Sequence, residues 1–211
     1  MSTLTKFALG AMGRLRPKPV RGDASPTLPL PPPDKRAPLM LALAERHSSR
    51  EFAATELPLP LLANLLWAAN GINRDDGGRT APSAMNTQEI DIYVALPTGA
   101  YLYDAAANAL RLVAGSDVRR VTGYQDFVDN APLDLVYVAD HGRMKLIPVN
   151  MRASYANVAA GAITQNVYLF AAANGLATVI RAWIDREAIA NALGLSHDQE
   201  VLLSQTVGFP K

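Results

Sequence analysis

Two short stretches of the chain carry side chains that could hold a ligand with an anionic group. The first runs from Arg46 to Phe52, where Arg46 and Arg50 stand four residues apart with His47 and Ser48 between them. That spacing places two like charges on one helical face, at a cost of about 0.2–0.5 kcal/mol. A phosphate between the guanidiniums would offset the repulsion, because guanidinium forks match phosphate oxygens. The stretch therefore predicts an anion site at the end of a helix.

The second stretch runs from Pro82 to Gln88 and predicts a loop that enters a strand. Pro82 restricts the backbone, and Ser83 and Asn86 offer polar groups to the edge of a flat heteroaromatic ring. Taken alone, the first stretch is typical of a solvated face and the second of an ordinary turn. Their order, about 35 residues apart with an amphipathic helix between them, favours one shared ligand.

The two stretches together resemble the nitroreductase family of FMN-dependent oxidoreductases, over roughly residues 38 to 211. The run from Arg46 to Phe52 is similar to the family's phosphate motif. The run from Pro82 to Gln88 is similar to its isoalloxazine and ribityl motif. The resemblance implies FMN as the cofactor, an α+β fold whose mixed, mainly antiparallel sheet is flanked by helices, and a homodimer with its flavin sites at the interface.

The same resemblance implies which residues hold the flavin. The chain ends in a glycine-proline-basic run similar to the family's, so its last residue would complete the phosphate site. On one subunit the phosphate contacts would be Arg46, His47, Ser48, Arg50 and Lys211. From the other subunit the flavin would be reached by Pro82, Ser83, Ala84 and Asn86.

Further flavin contacts are implied later in the chain. Gln125 falls where relatives place an amide side chain on the flavin ring, and Arg181-Ala182-Trp183 falls where backbone groups approach flavin N5 and O4. The Arg181 side chain either neutralises the flavin at N1–O2 or is a surface charge. Trp183 either narrows the site or is a packed core residue.

By resemblance, the chain is an FMN-dependent NAD(P)H oxidoreductase that works by a ping-pong scheme. A nicotinamide would reduce FMN and leave, and a nitroaromatic, a quinone or a similar acceptor would then take the electrons. Two alternatives stay open. One is an FMN-dependent dehydrogenase that oxidises a small molecule or a peptide azoline, because residues 65–71 and 101–104 also resemble azoline-oxidising peptide dehydrogenases. The other is a flavin-binding scaffold without turnover.

The composition of the chain argues against several other classes of function. Hydrophobic residues make up 49% and charged residues 18% of the 211, which supports a packed core, and a net charge of +1 gives no reason to expect nucleic acid. The absence of cysteine excludes disulfides and thiolate sites, and the three histidines lack the spacing of metal ligands. No apolar run is long enough for a membrane span. We expect a cytoplasmic protein, with export through a weak N-terminal signal as the alternative.

The chain divides by composition into two regions. Residues 1–36 hold seven prolines, which disfavour helix and sheet, and predict either a flexible leader or an extended arm across a partner subunit. Residues 37–211 form the predicted flavin domain. Within it, periodicity predicts helices over 38–47, over 58–70 with a left-handed cap at Gly71, and over 150–174, with a fourth beginning at the N-cap Asp185. Strands are predicted over 90–96, half-buried, and over 133–139, buried on both faces.

Overall fold

The protein is described by a computed structural model that covers residues 1–12, 17–19, 26–32 and 38–211. Its α-helices are α1 Thr3–Ala11, α2 Leu39–Glu45, α3 Leu59–Asn70, α4 Val149–Ala173 and α5 Arg186–Leu193. Its strands are β1 Lys18–Pro19, β2 Thr27–Pro29, β3 Ile90–Leu96, β4 Gly99–Asp104, β5 Ala109–Ala114, β6 Ser116–Asp117, β7 Leu133–Asp140, β8 Ala177–Arg181 and β9 Gln199–Gly208. Short 3-10 turns cover Ala84–Asn86, Arg119–Val121, Asp126–Asp129 and His141–Arg143.

One sheet of seven strands forms the centre of the fold, in the order β2-β5-β4-β3-β7-β9-β8. Every pairing in it is antiparallel, and β1 pairs with β6 in a separate two-stranded sheet. The predicted α+β class is confirmed. In the described part of the chain, no helix is both long and apolar enough to cross a membrane.

Helices cover both faces of the sheet. On one face α3 and α4 pack against Ile90, Ile92 and Val94 of β3, whereas on the other face α5 and the segment 118–124 pack against Tyr93 and Ala95. β7 is buried along nearly its whole length, as its unbroken apolar run predicts. The prediction that β3 is half-buried is wrong, because the second layer of helices and turns covers the face expected to meet solvent.

Capping residues predicted the ends of α5 and α3, and the prediction is confirmed for α5 but not for α3. The Asp185 carboxylate caps α5 by accepting from the Ala188 N–H at 2.9 Å, and Gly194 ends the helix with a φ of 64°. Gly71 was expected to cap α3 in the same way. That prediction is wrong, because Gly71 has φ −74° and ψ 164° and leads directly into an extended segment.

The N-terminal region is more ordered than its prolines predict. Residues 3–11 form α1, and β2 joins the main sheet by pairing with β5 of the same chain. The expectation that this region sustains neither helix nor sheet is wrong for these residues, because the first proline is at position 17 and leaves α1 uninterrupted. The part of the predicted arm over 13–16, 20–25 and 33–36 lies outside the described residues, and the domain division at residue 36 stays a prediction.

Candidate functional site

Residues 46–50 lie along the edge of the sheet and do not continue α2. The helix ends at Glu45, and Arg46 has φ −59° and ψ 118°. The Ser49 N–H donates to the Thr178 carbonyl of the edge strand β8 at 2.9 Å. The prediction that Arg46 and Arg50 share a helical face is therefore wrong. An open strand edge offers backbone acceptors that hold this segment in an extended conformation.

The C-terminus runs beside this segment. Phe52 forms an antiparallel bridge with Pro210, and the Ala53 N–H donates to the Phe209 carbonyl at 2.9 Å. Because the two segments are antiparallel, the backbone of Lys211 falls opposite that of Glu51, one residue from Arg50. The structure therefore brings the C-terminal segment alongside the segment that contains Arg50, although residues 50 and 211 lie 161 positions apart (211 − 50).

The cations of this region lack acidic partners. Within the described residues, no carboxylate lies within 4.0 Å of the charged nitrogens of Arg46, Arg50 or Lys211. The arginines of the core, by contrast, are paired with aspartates. Unpaired guanidinium and ammonium groups beside a serine hydroxyl are the donor set that a phosphate monoester needs. The residues present fit the phosphate end of FMN.

Tyr168 of α4 organises this region, and sequence analysis did not find it. Its buried hydroxyl accepts from the Ile180 N–H at 3.1 Å and lies 2.8 Å from Ser48 Oγ. The Arg46 guanidinium lies over the Tyr168 ring, 5.3 Å from its centroid. Because an amide already donates to the tyrosine oxygen, the tyrosine O–H can donate to Ser48, which leaves the serine O–H free to donate outward. The sequence contained one signal for this role, because Tyr168 lies on the apolar face of a predicted helix. A tyrosine hydroxyl that is buried there needs a hydrogen-bond partner.

His47 contacts the end of α2 and not the donors described above. Its Nδ1 is 2.8 Å from the Glu45 carbonyl at the end of α2, and the side chain is exposed. The ring thus satisfies a backbone acceptor at the helix end. Its predicted contact with phosphate is not tested by this geometry and stays a prediction.

The loop over 82–88 is held in a strained conformation by its own side chains. Met85, Asn86 and Gln88 all have φ near 50°, a region that costs non-glycine residues of the order of 1 kcal/mol each. Ser83 Oγ accepts from the Gln88 N–H at 3.0 Å, and Asn86 Oδ1 accepts from Gln88 Nε2 at 3.2 Å. These bonds hold Pro82, Met85 and Asn86 at the surface. Backbone strain of this kind is typical of functional loops.

A single chain does not bring the two predicted motifs together. The loop over 82–88 leads into β3, whereas residues 46–50 lie on β8, three strand positions away in the sheet. Among the described residues, no hydrogen bond or ion pair joins the two segments. This separation agrees with the expectation that the two motifs reach one flavin from different subunits.

Arg181 is buried in an ion pair, contrary to the interpretation of its side chain as a surface charge. Its Nη2 donates to Asp134 Oδ1 at 2.7 Å, its Nε donates to Ser204 Oγ at 3.2 Å, and the guanidinium lies over the Phe127 ring. The side chain is therefore not a surface charge, and its predicted neutralisation of a flavin at N1–O2 stays a prediction. The predicted approach of the Arg181 backbone to the flavin ring also stays a prediction.

Gln125 lies in a buried recess next to Arg181. Gln125 Oε1 and Arg181 Nη1 are both buried without a hydrogen-bond partner in the described structure. A Cβ at Gly123 would come within 2.9 Å of the first atom and 3.2 Å of the second, so a larger residue here would displace these two side chains. Two 3-10 turns, over Arg119–Val121 and Asp126–Asp129, flank these residues. A buried amide oxygen without a donor fits a role in contacting a polar ligand group.

The segment over 123–129 is fastened from outside by α1. Lys6 is fully buried, and its Nζ lies 2.7 Å from Asp129 Oδ1 while it donates to the carbonyls of Gly123 at 3.2 Å and Gln125 at 2.9 Å. Burial lowers the pKa of the Lys6 ammonium from its ordinary value, and the Asp129 carboxylate acts in the opposite direction.

Trp183 is exposed and forms part of an aromatic cluster. It is 51% exposed, which excludes the interpretation as a packed core residue. Its ring centroid lies 5.3 Å from that of Tyr124 and 5.7 Å from that of Phe7 in α1. Ala182 is exposed beside it. No turn or loop hydrogen bond between described backbone groups uses the amides of Ala182 or Trp183.

Comparisons with known proteins agree with this geometry. The model of the "Nitroreductase family" matches residues 43–209. A protein of Methanocaldococcus jannaschii that carries the provisional name nitroreductase is 30% identical over 156 residues, 69% of this chain and 79% of that one. A provisionally named nitroreductase of Ralstonia eutropha JMP134 has a crystal structure that is 48% identical, covers 93% of this chain and 95% of its own, and superposes with a TM-score of 0.89.

More distant structures share the fold. An NADPH:FMN oxidoreductase from Vibrio harveyi, complexed with NAD+, is 20% identical with a TM-score of 0.60, and covers 82% of this chain and 69% of its own. At that identity the likeness concerns the fold alone. The family match covers most of the chain and includes both predicted motifs, and the relatives named above agree with it. The chain belongs to the nitroreductase family, whose members are flavin oxidoreductases.

Proposed function

We propose that this protein is an FMN-dependent oxidoreductase that takes electrons from NADH or NADPH and passes them to a nitroaromatic, a quinone or a similar acceptor. The observation that carries the proposal is the group formed by Arg46, Arg50, Lys211 and the Tyr168-bound Ser48 hydroxyl, which lacks carboxylate partners among the described residues. Family membership supports the class of enzyme, and the donor set supports a phosphate-bearing flavin.

The phosphate end of FMN is held, in this proposal, at the edge of the sheet. Arg50 and Lys211 supply charge from neighbouring antiparallel segments, and Ser48 supplies a hydroxyl donor whose direction Tyr168 sets. Arg46 adds a second guanidinium that the Tyr168 ring holds in place. These groups bind and orient the phosphate dianion and take no part in proton transfer.

The ring end is held by backbone and amide groups. The exposed backbone at Ala182 and Trp183 follows β8 immediately, so it lies near the phosphate site on the same chain. Gln125 adds its unpaired amide oxygen from the recess beside Gly123. The strained loop carrying Pro82, Ser83, Ala84 and Asn86 reaches the same flavin from a second subunit.

A homodimer is therefore part of the proposal. Beyond the separation of the two motifs, α2 and α4 expose apolar side chains that a single chain leaves in water. On α2 and around α4 these are Leu39, Met40, Leu41, Leu43, Leu146, Val149, Met151 and Val158. A second copy that covers these helices would bury them and complete each flavin site.

In this proposal the cofactor supplies the redox chemistry, and the protein binds and orients the cofactor and its substrates. When bound, FMN would supply the redox chemistry of a ping-pong exchange between the nicotinamide and the acceptor. The chain's cations hold one end of the cofactor, and backbone donors at Ala182 and Trp183 fix the ring that both substrates approach. The exposed rings beside this backbone give planar substrates an apolar surface on which to stack.

The dehydrogenase alternative has one structural observation in its favour. A chain of the Escherichia coli microcin synthetase McbBCD complex with truncated pro-MccB17 is 21% identical with a TM-score of 0.71, and covers 79% of this chain and 70% of its own. This likeness shows the fold alone. A dehydrogenase would be reduced by its organic substrate and not by a nicotinamide, so the direction of electron flow separates the two functions.

The first experiment is the visible spectrum of the purified protein, followed by heat release and identification of any chromophore. We expect flavin absorption and released FMN. Anaerobic NADH and NADPH should then bleach the flavin within the time of mixing, and a quinone should restore the colour. A protein that neither contains nor takes up FMN would refute the proposal. Reduction by an azoline peptide but by neither nicotinamide would replace it with the dehydrogenase, and flavin that no donor reduces would indicate the scaffold.

A further inference from the structure

The helix α1 stands outside the part of the chain that the family model matches, yet it is fastened to the predicted ring site. The family model begins at residue 43, and α1 spans residues 3–11. Its anchor is Lys6, whose buried ammonium meets Asp129 Oδ1 and two backbone carbonyls. Thr3 Oγ1 adds a bond to Asp126 Oδ1 at 2.7 Å. Burying an unpaired ammonium costs several kcal/mol, so the carboxylate and the two carbonyls together form a specific binding site for the Lys6 side chain, which we call the Lys6 socket.

The socket sets the position of the next residue in α1. Phe7 packs against Tyr124 at 5.6 Å and Trp183 at 5.7 Å between ring centroids. Tyr124 is buried, but Phe7 and Trp183 are 46% and 51% exposed, so both keep ring surface open to a ligand. If Phe7 and Trp183 only covered the hydrophobic core, their rings would be buried, as the ring of Tyr124 is.

Both regions that α1 contacts belong to the proposed ring site. The carbonyl that Lys6 binds at 2.9 Å is that of Gln125, and Phe7 contacts Trp183, which follows the backbone proposed to hold the ring. The helix thus links the two segments at the place where an acceptor would approach.

We propose that α1 forms one wall of the acceptor pocket and that Phe7, positioned by Lys6, limits with Trp183 the size of the acceptor. This inference rests on the proposed function, because it needs a flavin beside Ala182 and Trp183. In this proposal a single-ring quinone reaches the exposed backbone at Ala182 with Phe7 in place, whereas a three-ring quinone has to displace Phe7. The wall therefore acts on the binding of large acceptors.

The test is a comparison of Phe7→Ala with the wild type, using 1,4-benzoquinone and a three-ring anthraquinone sulfonate as acceptors. We expect the KM for the larger quinone to fall about fivefold relative to the KM for benzoquinone, because the steric contact that is removed obstructs only the larger ring system. Lys6→Met should shift the KM values in the same direction by releasing α1. Leu4→Ala is the matched control, because Leu4 lies on the same helix, is 80% exposed and takes no part in the aromatic cluster.

A second readout does not depend on activity. In a Trp67→Phe background Trp183 is the only tryptophan, and Phe7→Ala should make its fluorescence more sensitive to acrylamide. Equal KM changes for both quinones, or none, in a Phe7→Ala enzyme that still binds FMN would overturn the wall while leaving the proposed function intact. Unchanged quenching would also overturn it. A wild-type protein that takes up no flavin would overturn both proposals.

Discussion

The hydroxyl of Tyr168 lies 2.8 Å from Ser48 Oγ, across 120 positions of sequence, and connects the longest helix to the predicted phosphate motif. The contact explains how an extended segment outside α2 presents a serine in a fixed direction. In the proposed phosphate site Tyr168 is a positioning residue, because it contacts Ser48 and Arg46, which would bind the phosphate.

Replacing Tyr168 with phenylalanine tests this role. The ring beneath Arg46 remains, but Ser48 loses its partner, so we expect FMN affinity to fall about five- to tenfold, the equivalent of one hydrogen bond of about 1 kcal/mol. Riboflavin lacks the phosphate, so its affinity should stay unchanged. Titration of the apoprotein with both flavins measures the ratio. Tyr155→Phe on the same helix is the control, because among the described residues the Tyr155 hydroxyl has a hydrogen-bonding contact only with the sulfur of Met151, at 4.0 Å. Equal losses for the two flavins would indicate general destabilisation instead.

Replacing Arg50 with alanine should release FMN more strongly. The side chain supplies a charge-assisted contact worth about 1.5–3 kcal/mol, so the dissociation constant should rise roughly ten- to a hundredfold. Flavin occupancy of the purified variant and equilibrium titration check this. Arg74→Ala removes an exposed guanidinium whose nearest carboxylate is 3.8 Å away, and should leave FMN binding intact. Unchanged occupancy in the Arg50 variant would exclude this residue from the phosphate site.

The buried pair of Arg181 and Asp134 predicts a loss of stability. Both side chains are almost fully buried, so Arg181→Met leaves an uncompensated carboxylate and should lower the free energy of unfolding by about 3–5 kcal/mol. The double variant Arg181→Met/Asp134→Leu should recover part of that loss. The exposed pair of Arg111 and Asp104 is the matched comparison, and Arg111→Met should cost less than about 1 kcal/mol. Urea denaturation measures all three, and equal costs at the two sites would contradict the prediction.

Tyr103 predicts a loss of stability at alkaline pH. Burial raises the pKa of its phenol to about 12, although Arg79 acts in the opposite direction. The unfolded chain, with an ordinary tyrosine pKa of about 10, loses its proton first, so the folded state binds more protons between these values and stability falls as pH rises. The loss approaches about 2–3 kcal/mol near pH 12. Denaturation series from pH 8 to about 11.5 should show a steeper decline for the wild type than for Tyr103→Phe. Parallel curves would refute this assignment.

The proposed dimer predicts that a charge on α4 separates the subunits. Val158 is 73% exposed in the single chain, and Val158→Lys places an ammonium on the face proposed to be covered. We expect a monomer in sedimentation equilibrium and a parallel loss of FMN. Val113→Lys makes the same change at an exposed position on β5 and should remain dimeric. A Val158→Lys protein that stays dimeric would place the interface elsewhere.

Local patterns predicted much of the architecture. The unbroken apolar run of β7, the alanine-rich helix α4 and the aspartate and glycine that bound α5 appear where they were predicted. Each depends on periodicity or capping within a few neighbouring residues, which a sequence shows directly. Gly71 marks the limit of that approach, because a glycine after a helix permits a left-handed cap but does not require one.

The chain by itself determined the two motifs, because residue types and short spacings carry that information, and the resemblance of these motifs implied the family and its α+β class. Only the tertiary structure decided that residues 46–50 lie on the edge of β8, that Arg181 pairs with Asp134, and that Tyr168 holds Ser48. The socket of Lys6 is the clearest case, since the lysine and the Gly123 carbonyl are 117 residues apart. Partners so far apart meet only when the sheet and its covering layers have packed, and no local pattern specifies which buried charge will meet which acceptor.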